Sequence, residues 1–345
     1  MKKYRVGILG ATGTVGQRFV QLLQDHPQFE ITALAASDRS TGKTYAEACA
    51  WKLNGSIPEN VRDIVVTPIE PPLDCEVVFS SLPSGVARET EESFARAGYP
   101  VISNSSVYRM DEDVPLLIPE INADHLGLIE TQQKKRGFGK GFIVTNPNCA
   151  VASFAGPLAA LHRRFGVEAV AVTTLQAISG AGYPGVSAMD IADNVLPYIA
   201  GEEPKVETEA QKILGTIRDG SIEKADFTVS AQCFRVAVLD GHTASVRVDL
   251  KKSATFEEVI DAMKTFPSLD LRSSPEHFIE VLDEPSRPQP RLDRDNGNGM
   301  SITVGRIFPD NVFDYRFVSL SHNTVRGAAG STILNAELLA QKNLI

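Results

Sequence analysis

The stretch Arg5-Val6-Gly7-Ile8-Leu9-Gly10-Ala11-Thr12-Gly13-Thr14-Val15-Gly16-Gln17-Arg18-Phe19-Val20 decides the fold. Its first five residues are an apolar run suited to a buried parallel strand. Beyond Thr14 the apolar residues Val15, Phe19, Val20, Leu22 and Leu23 recur at helical spacing, and Pro27 follows the expected stop. Residues 30–36 then read as a second strand. Strand, turn, helix and strand make one βαβ unit of the doubly wound kind. Gly7, Gly10, Gly13 and Gly16 recur at every third position across its first turn. Small residues there let backbone N–H groups approach a pyrophosphate, where the helix N-terminus adds partial positive charge. Gly10, Thr12, Gly13, Thr14 and Val15 are the candidate cofactor cradle. The spacing is GxxGxxG, not GxGxxG, so a tight turn serving only close packing is the competing reading.

Outward from this unit, strands are expected at 76–79, 100–102 and 142–144, with a helix at 87–97. The polar stretch 132–136 reads as a solvated surface segment. After Cys149 the texture changes. A helix is expected from 150 to about 164, then strands at 167–175, 234–239, 244–250, 301–304 and 313–320. Many strands with few helices suggest an α+β unit on a mostly antiparallel or mixed sheet. Residues 327–342 read as a helix that returns to the first unit. The expected fold class is thus α/β. A Rossmann-like doubly wound domain covers 1–148 with about 326–345, and an α+β catalytic and dimerisation domain covers 149–325.

Size and charge agree with two soluble domains. The chain has 345 residues, 43% hydrophobic and 22% charged. A formal net charge of −9 disfavours nucleic acid and anionic membranes as partners. Any site for an anionic substrate must therefore be a local basic cluster. No apolar run approaches the ~18 residues needed to span a bilayer. The N-terminus lacks the long apolar region of a signal peptide. The four cysteines show neither a CxxC pair nor metal-ligand spacing, so no metal site is expected and the compartment reads as reducing cytoplasm.

Two further stretches carry chemistry. After the second strand come Ser37-Asp38-Arg39-Ser40-Thr41-Gly42-Lys43. Asp38 would accept from a ribose 2′-hydroxyl and favour NAD, whereas Arg39, Lys43 and the hydroxyls suit a 2′-phosphate. Two cations against one carboxylate favour NADP. In Asn146-Pro147-Asn148-Cys149-Ala150, Asn148 is a candidate N-cap that places Cys149 at a helix N-terminus. There the dipole and free N–H groups are expected to lower the thiol pKa and bind an oxyanion. Cys49, Cys75 and Cys233 read as packing. A thiolate needs an acid/base partner; His242 lies at the end of an apolar strand after a glycine turn, and His322 sits beside Asn323 near the C-terminal helix. Sequence spacing brings neither to Cys149.

Taken together these segments resemble the aspartate-β-semialdehyde dehydrogenases of archaea and fungi. The likeness runs through Gly10 to Gly16, Asn104-Ser105-Ser106-Val107-Tyr108-Arg109-Met110, Asn146 to Cys149 and Gln176 to Gly185. It continues through Gly201-Glu202-Glu203-Pro204-Lys205, Arg235 to His242 and His322 to Gly330. The resemblance implies Cys149 as nucleophile and His242 as acid/base catalyst. Gln176 would orient the reacting group, Arg235 bind the substrate α-carboxylate, Glu202 its ammonium, and Arg109 with Lys205 the phosphate. It implies an NADP site including Ser37, Arg39, Ser40, Lys43, Ser80, Ser179, Gly180 and Asn323. The implied substrates are aspartate semialdehyde and phosphate, and the implied assembly is a homodimer or homotetramer.

Malonyl-CoA reductase, a relative in the same branch, keeps the Cys and His but has no substrate ammonium to bind. The charged 202–205 element and Asn148 favour the amino-acid enzyme. N-acetyl-γ-glutamyl-phosphate reductase shares the chemistry, but its glycine-loop and cysteine-flanking patterns differ. A non-enzymatic NADP-sensing module would require Cys149 to be incidental.

Overall fold

A computed structural model describes residues 2–345. The first sheet comprises β1 (Tyr4–Leu9), β2 (Phe29–Ala35), β3 (Val77–Ser80), β4 (Pro100–Ser103) and β5 (Phe142–Thr145), in the order β2-β1-β3-β4-β5. All neighbours are parallel. Helices on both faces bury β3, β4 and β5 completely, which is why their residues are apolar without alternation. Strand order reverses between β1 and β3, so a crevice opens beyond their carboxyl ends, the usual ligand position in such sheets. Gly10 and Ser81 stand there. Gly10 has φ +79, and a Cβ on Gly16 would lie 2.3 Å from the Gly10 carbonyl oxygen. The turn therefore has no room for side chains at either place.

The second sheet contains β6 (Val167–Gln176), β9 (Thr228–Arg235), β10 (His242–Leu250), β11 (Ile279–Val281), β12 (Ile302–Pro309) and β13 (Tyr315–Ser321). A separate hairpin is formed by β7 (Thr216–Arg218) and β8 (Ser221–Glu223). The order β11-β12-β13-β10-β6-β9 is mixed: β6/β9 and β11/β12 are parallel, the other pairs antiparallel. Helices Ala155–Phe165, Glu203–Ile213 and Phe256–Lys264 cover one face, joining Leu158, Leu161, Val206, Ile213 and Met263 to Val172, Val246 and Phe317 in one core. On β10 buried positions alternate with half-exposed Thr243, Ser245 and Arg247, leaving the opposite face less covered. The last helix, Gly330–Gln341, returns to the first sheet and buries Ile333, Ala336 and Leu339 among the residues of β1 and β3.

Four local expectations need correction. Residues 132–136 are the end of helix Ile129–Arg136, and Gln132 is fully buried. Its amide donates to the carbonyls of Asp113 and Ile143 and accepts from Ile143 N–H, so a polar residue sits inside because a strand end needs it. The helix after Cys149 is two pieces, Cys149–Ala152 and Ala155–Phe165, because Pro157 has no N–H to return to the Ser153 carbonyl. Strand pairing at 234–239 ends at Arg235, and β9 runs back to Thr228. The C-terminal helix starts at Gly330, after a wide turn over Val325–Ala329.

That wide turn carries Arg326, whose fully buried guanidinium donates from Nε to the Met300 carbonyl and from both terminal nitrogens to the Glu120 carboxylate. Arg326→Met would leave Glu120 charged and alone in the interior. We expect a loss of about 3–5 kcal/mol in chemical denaturation, largely restored when Glu120→Gln is added. A single-mutant loss below about 1 kcal/mol would mean that the pair does not hold the two segments together.

Candidate active site

The crevice at the β1/β3 reversal continues into a cavity of about 370 Å³ lined by Thr14, Arg109, Cys149, Gly180, Glu202 and Asn323, among others. A second cavity of about 410 Å³, lined by Thr12, Gly13, Lys52, Ser81 and Tyr183, shares Thr14, Val15 and Gly182 with the first. The glycine turn and the cysteine, far apart in sequence, thus face one groove.

Cys149 opens helix Cys149–Ala152, and Asn148 caps it as expected. The Asn148 side-chain oxygen accepts from the N–H groups of Ala150 and Val151 at 2.7 and 3.4 Å. That cap changes the electrostatics foreseen for the sulfur. The Ala150 and Val151 N–H groups are already occupied by the cap and the helix is one turn long, so the thiol is left with its own N–H and a short dipole. Burial pushes the Cys149 thiol up to about 12, with Glu202 adding to the push and Arg109 and Arg235 opposing it. The expectation of a lowered thiol pKa is therefore wrong for this chain without ligands. The Cys149 N–H, which points to its own sulfur, is the backbone donor left for an oxyanion.

Of the two histidines, the fold selects His242. It begins β10, and its Nε2 lies 3.2 Å from Cys149 Sγ. On the other side of the ring, Nδ1 accepts from Ala177 N–H at 3.0 Å. A backbone N–H can only donate, so the neutral ring carries its proton on Nε2, facing the sulfur. Burial, Arg235 and His322 pull His242 down to about 3. The ligand-free pair is thus neutral thiol and neutral imidazole, with Nε2–H poised as a donor.

The other expected residues divide. Glu202, Lys205 and Arg109 line the cavity with Cys149. Glu202 accepts from Asn148 Nδ2 at 2.8 Å and lies 3.3 Å from Lys205 Nζ. Arg235 is buried, donates to the Ala177 carbonyl at 2.7 Å and makes no ion pair among the described residues. Burial lowers its pKa against the pull of Cys149 and Glu202. A Cβ on Gly180 would stand 3.0 Å from both Arg235 Nη1 and the His242 ring. Asn323 accepts from Gly241 N–H and donates to Ser179, which fixes the turn leading into His242. Ser37, Arg39 and Lys43 are exposed after β2, Ser40 is buried, and Lys43 donates to the Arg39 carbonyl.

Two assignments fare differently. Ser80 is buried and its hydroxyl donates to Glu91, so it faces the interior; Ser81, beside Gly10, faces the groove instead. Side chains alternate along a strand, and the shift of one residue decides the face. Gln176 is buried at the end of β6 with its amide on Thr174, and it does not line the cavity. Sequence reading also missed Ser105, Asn104 and Glu209. Ser105 and Asn104 line the cavity, and the Ser105 hydroxyl is buried without a partner. Glu209 lies seven residues after Glu202, two helical turns on, a spacing that marks the same face.

Two family models match successive parts of the chain. The family model described as "Semialdehyde dehydrogenase, NAD binding domain" matches residues 5–129, and "Semialdehyde dehydrogenase, dimerisation domain" matches 158–326. The aspartate-semialdehyde dehydrogenase of Archaeoglobus fulgidus is 53% identical over 344 residues, 99% of this chain and 100% of that protein. That of Candida albicans is 47% identical over 365 residues, covering 100% of both. The crystal structure of the Candida albicans enzyme with NADP superposes with a TM-score of 0.92 at 44% identity, covering 100% of both chains. Aspartate semialdehyde dehydrogenase II of Vibrio cholerae, complexed with ASA, superposes at 0.79 with 25% identity over 99% of both.

A raised thiol pKa means little thiolate at neutral pH and more as pH rises. Iodoacetamide should therefore alkylate Cys149 of the ligand-free protein slowly at pH 7, about tenfold faster per pH unit up to about pH 10. A rate that levels off below about pH 8 would show a thiol titrating near neutrality instead. Cys149→Ser supplies the background from the other cysteines.

Proposed function

This chain belongs to the aspartate-semialdehyde dehydrogenase family, and from that premise we propose how its residues carry the reaction. The activity is NADPH-dependent reductive dephosphorylation of L-aspartyl-4-phosphate to L-aspartate-4-semialdehyde, reversible, in lysine, threonine and methionine biosynthesis. The observation that carries the residue-level reading is the 3.2 Å approach of Cys149 Sγ to His242 Nε2 beside a cavity the glycine turn also lines.

The side-chain-free cradle at Gly10, Gly13 and Gly16 fits a dinucleotide pyrophosphate. Thr12, Thr14 and Val15 flank it, Ser37, Arg39, Ser40 and Lys43 are assigned to the 2′-phosphate, and Ser179, Gly180 and Asn323 to the wall nearest Cys149. NADPH bound there supplies the hydride. Glu202 takes the substrate ammonium, Arg235 the α-carboxylate, and Arg109 with Lys205 the phosphate; a dianion between two cations and a zwitterion between opposite charges need these residue types. Gln176 acts from the end of β6, one residue before the Ala177 N–H that fixes the His242 tautomer.

In the reductive direction Cys149 Sγ attacks the C4 carbonyl. A C–S bond forms, the bond to phosphate oxygen breaks, and the phosphate leaves with its electron pair toward Arg109 and Lys205, taking up the proton that the thiol gives up. The thioester carbonyl oxygen faces Cys149 N–H and His242 Nε2–H, which stabilise the oxyanion as it develops. Proton exchange with substrate takes place at Nε2. Once the thioester carbon has received the hydride, collapse of the resulting tetrahedral oxyanion breaks the C–S bond and returns the aldehyde and the Cys149 thiolate, which takes up a proton to restore the resting thiol. Residues 1–148 with about 326–345 are taken as the cofactor domain and 149–325 as the catalytic one. A second copy, as homodimer or homotetramer, covers the exposed apolar side chains Tyr183, Met189, Tyr198 and Leu239. The free cysteines favour a cytoplasmic location.

The decisive assay follows NADP reduction with aspartate semialdehyde plus phosphate, against malonic semialdehyde plus CoA. Cys149→Ser should lose more than ~100-fold in kcat while NADP binding is nearly unchanged. Retention of more than about a tenth of wild-type kcat would remove Cys149 from the nucleophile role. Substrate identity has its own test. Succinic semialdehyde, lacking only the amino group, should be at least ~100-fold poorer in kcat/KM, because Glu202 is left without an ammonium. Glu202→Ala should narrow that gap. Equal use of both aldehydes by the wild type would overturn the amino-acid assignment.

A further inference from the structure

Helix Glu203–Ile213 presents more to the site than its first turn. Glu209 is 1% exposed, and its two carboxylate oxygens hold two different parts of the machinery. Oε1 accepts from Arg109 Nη1 at 3.1 Å, and Oε2 accepts from the backbone N–H of Asn148 at 2.6 Å. Asn148 precedes the nucleophile and caps its helix. The same residue is also held by Glu202, whose Oε1 accepts from its side chain. One turn past Glu209, buried Lys212 donates all three ammonium protons to carbonyls of the segment that carries the arginine, Arg109, Asp111 and Val114, at 2.6, 2.7 and 2.8 Å. Arg109 is thus gripped twice by one helix, through its guanidinium by Glu209 and through its backbone by Lys212.

We propose that Glu209 is a positioning residue for the phosphate step, joining Arg109 to the peptide unit before Cys149 so that the phosphate-binding cation and the nucleophile keep one fixed separation. The proposal rests on the reading of Arg109 as a phosphate ligand. A carboxylate beside Arg109 would, by charge alone, weaken its attraction for phosphate. Its presence there is explained by geometry: attack on phosphate-activated carbon, or attack of phosphate on the thioester, needs sulfur, carbon and phosphate oxygen at a set spacing. The guanidinium is held at Nη1 by Glu209 and at Nη2 by the Asn104 carbonyl at 2.7 Å, which leaves its remaining N–H groups a restricted set of directions. Glu209 also keeps the buried guanidinium paired when no phosphate is present.

Position and charge damping predict opposite signs. In the oxidative direction, Glu209→Gln keeps an oxygen for Asn148 N–H and turns an amide toward Arg109. Glu209→Asp keeps the charge but falls one methylene short of spanning both partners. The proposal expects each variant to raise KM for phosphate about tenfold or more and to lower kcat, with KM for NADP unchanged within about twofold. In an Arg109→Met background, adding either substitution should change phosphate KM by less than about twofold, since the cation it positions is gone. Stoichiometric NADP binding reports the folded fraction. An unchanged or lowered phosphate KM in Glu209→Gln overturns the proposal in favour of charge damping. A wild-type phosphate KM in Glu209→Asp overturns it for position. Equal losses in wild-type and Arg109→Met backgrounds overturn the link through Arg109. A wild-type phosphate KM in Arg109→Met alone would instead sink the underlying reading of Arg109.

Discussion

The side chain of Asn146, immediately after β5 and three residues before the nucleophile, is the joint on which the arrangement depends. Its amide nitrogen, with two protons, lies within hydrogen-bonding distance of Asn104 Oδ1, the Ala328 carbonyl and Thr332 Oγ1, and its oxygen accepts from Asn335. Asn104 in turn donates to the Ser80 carbonyl and to Thr332. One buried amide thus ties the ends of β3, β4 and β5 to the C-terminal helix. Removing one partner from such a network leaves the others buried and unsatisfied, which makes it costly to shift piecemeal. The cysteine, the segment carrying Arg109 and the wide turn at Val325–Ala329 therefore share one frame beside the cofactor cradle.

Electrostatics inside that frame run against the whole chain. The net charge is −9, yet Arg109, Lys205 and Arg235 converge on the region around Cys149. Two of these cations are compensated before any ligand arrives, Arg109 by Glu209 and Lys205 by Glu202. Arg235 is not, and burial costs its charge accordingly. A substrate carboxylate is the natural compensation for that third charge. Desolvation raises the Cys149 thiol and lowers His242, which favours the neutral form of both in the ligand-free chain.

The parts of the fold that were legible in the sequence are those set by local periodicity. The strand, glycine turn and helix from Tyr4 to Leu23 declare themselves because a buried parallel strand is continuously apolar and the helix after it is not. The mixed character of the second sheet was also legible, from strands following one another with few helices. Boundaries failed where a distant contact overrode the local pattern. Gln132 reads as surface until the edge of β5 is seen to need its amide, and Ser80 reads as a groove hydroxyl until Glu91 is found behind it.

By itself the sequence determined the two-part fold class, the glycine turn and Cys149 as a capped residue at a helix start, because each is written in contiguous stretches, whereas the charged residues around Cys149 come from three distant stretches and were named only by the family likeness. Spacing left His242 and His322 open and the family likeness named His242; the tertiary structure supplies the physical reason, since β10 pairs beside β6 and brings Ala177 and His242 together from 65 positions apart. The thiol's pKa and the His242 tautomer were likewise tertiary matters. Both depend on burial and on single N–H groups contributed by other segments, and neither quantity exists until those segments have packed.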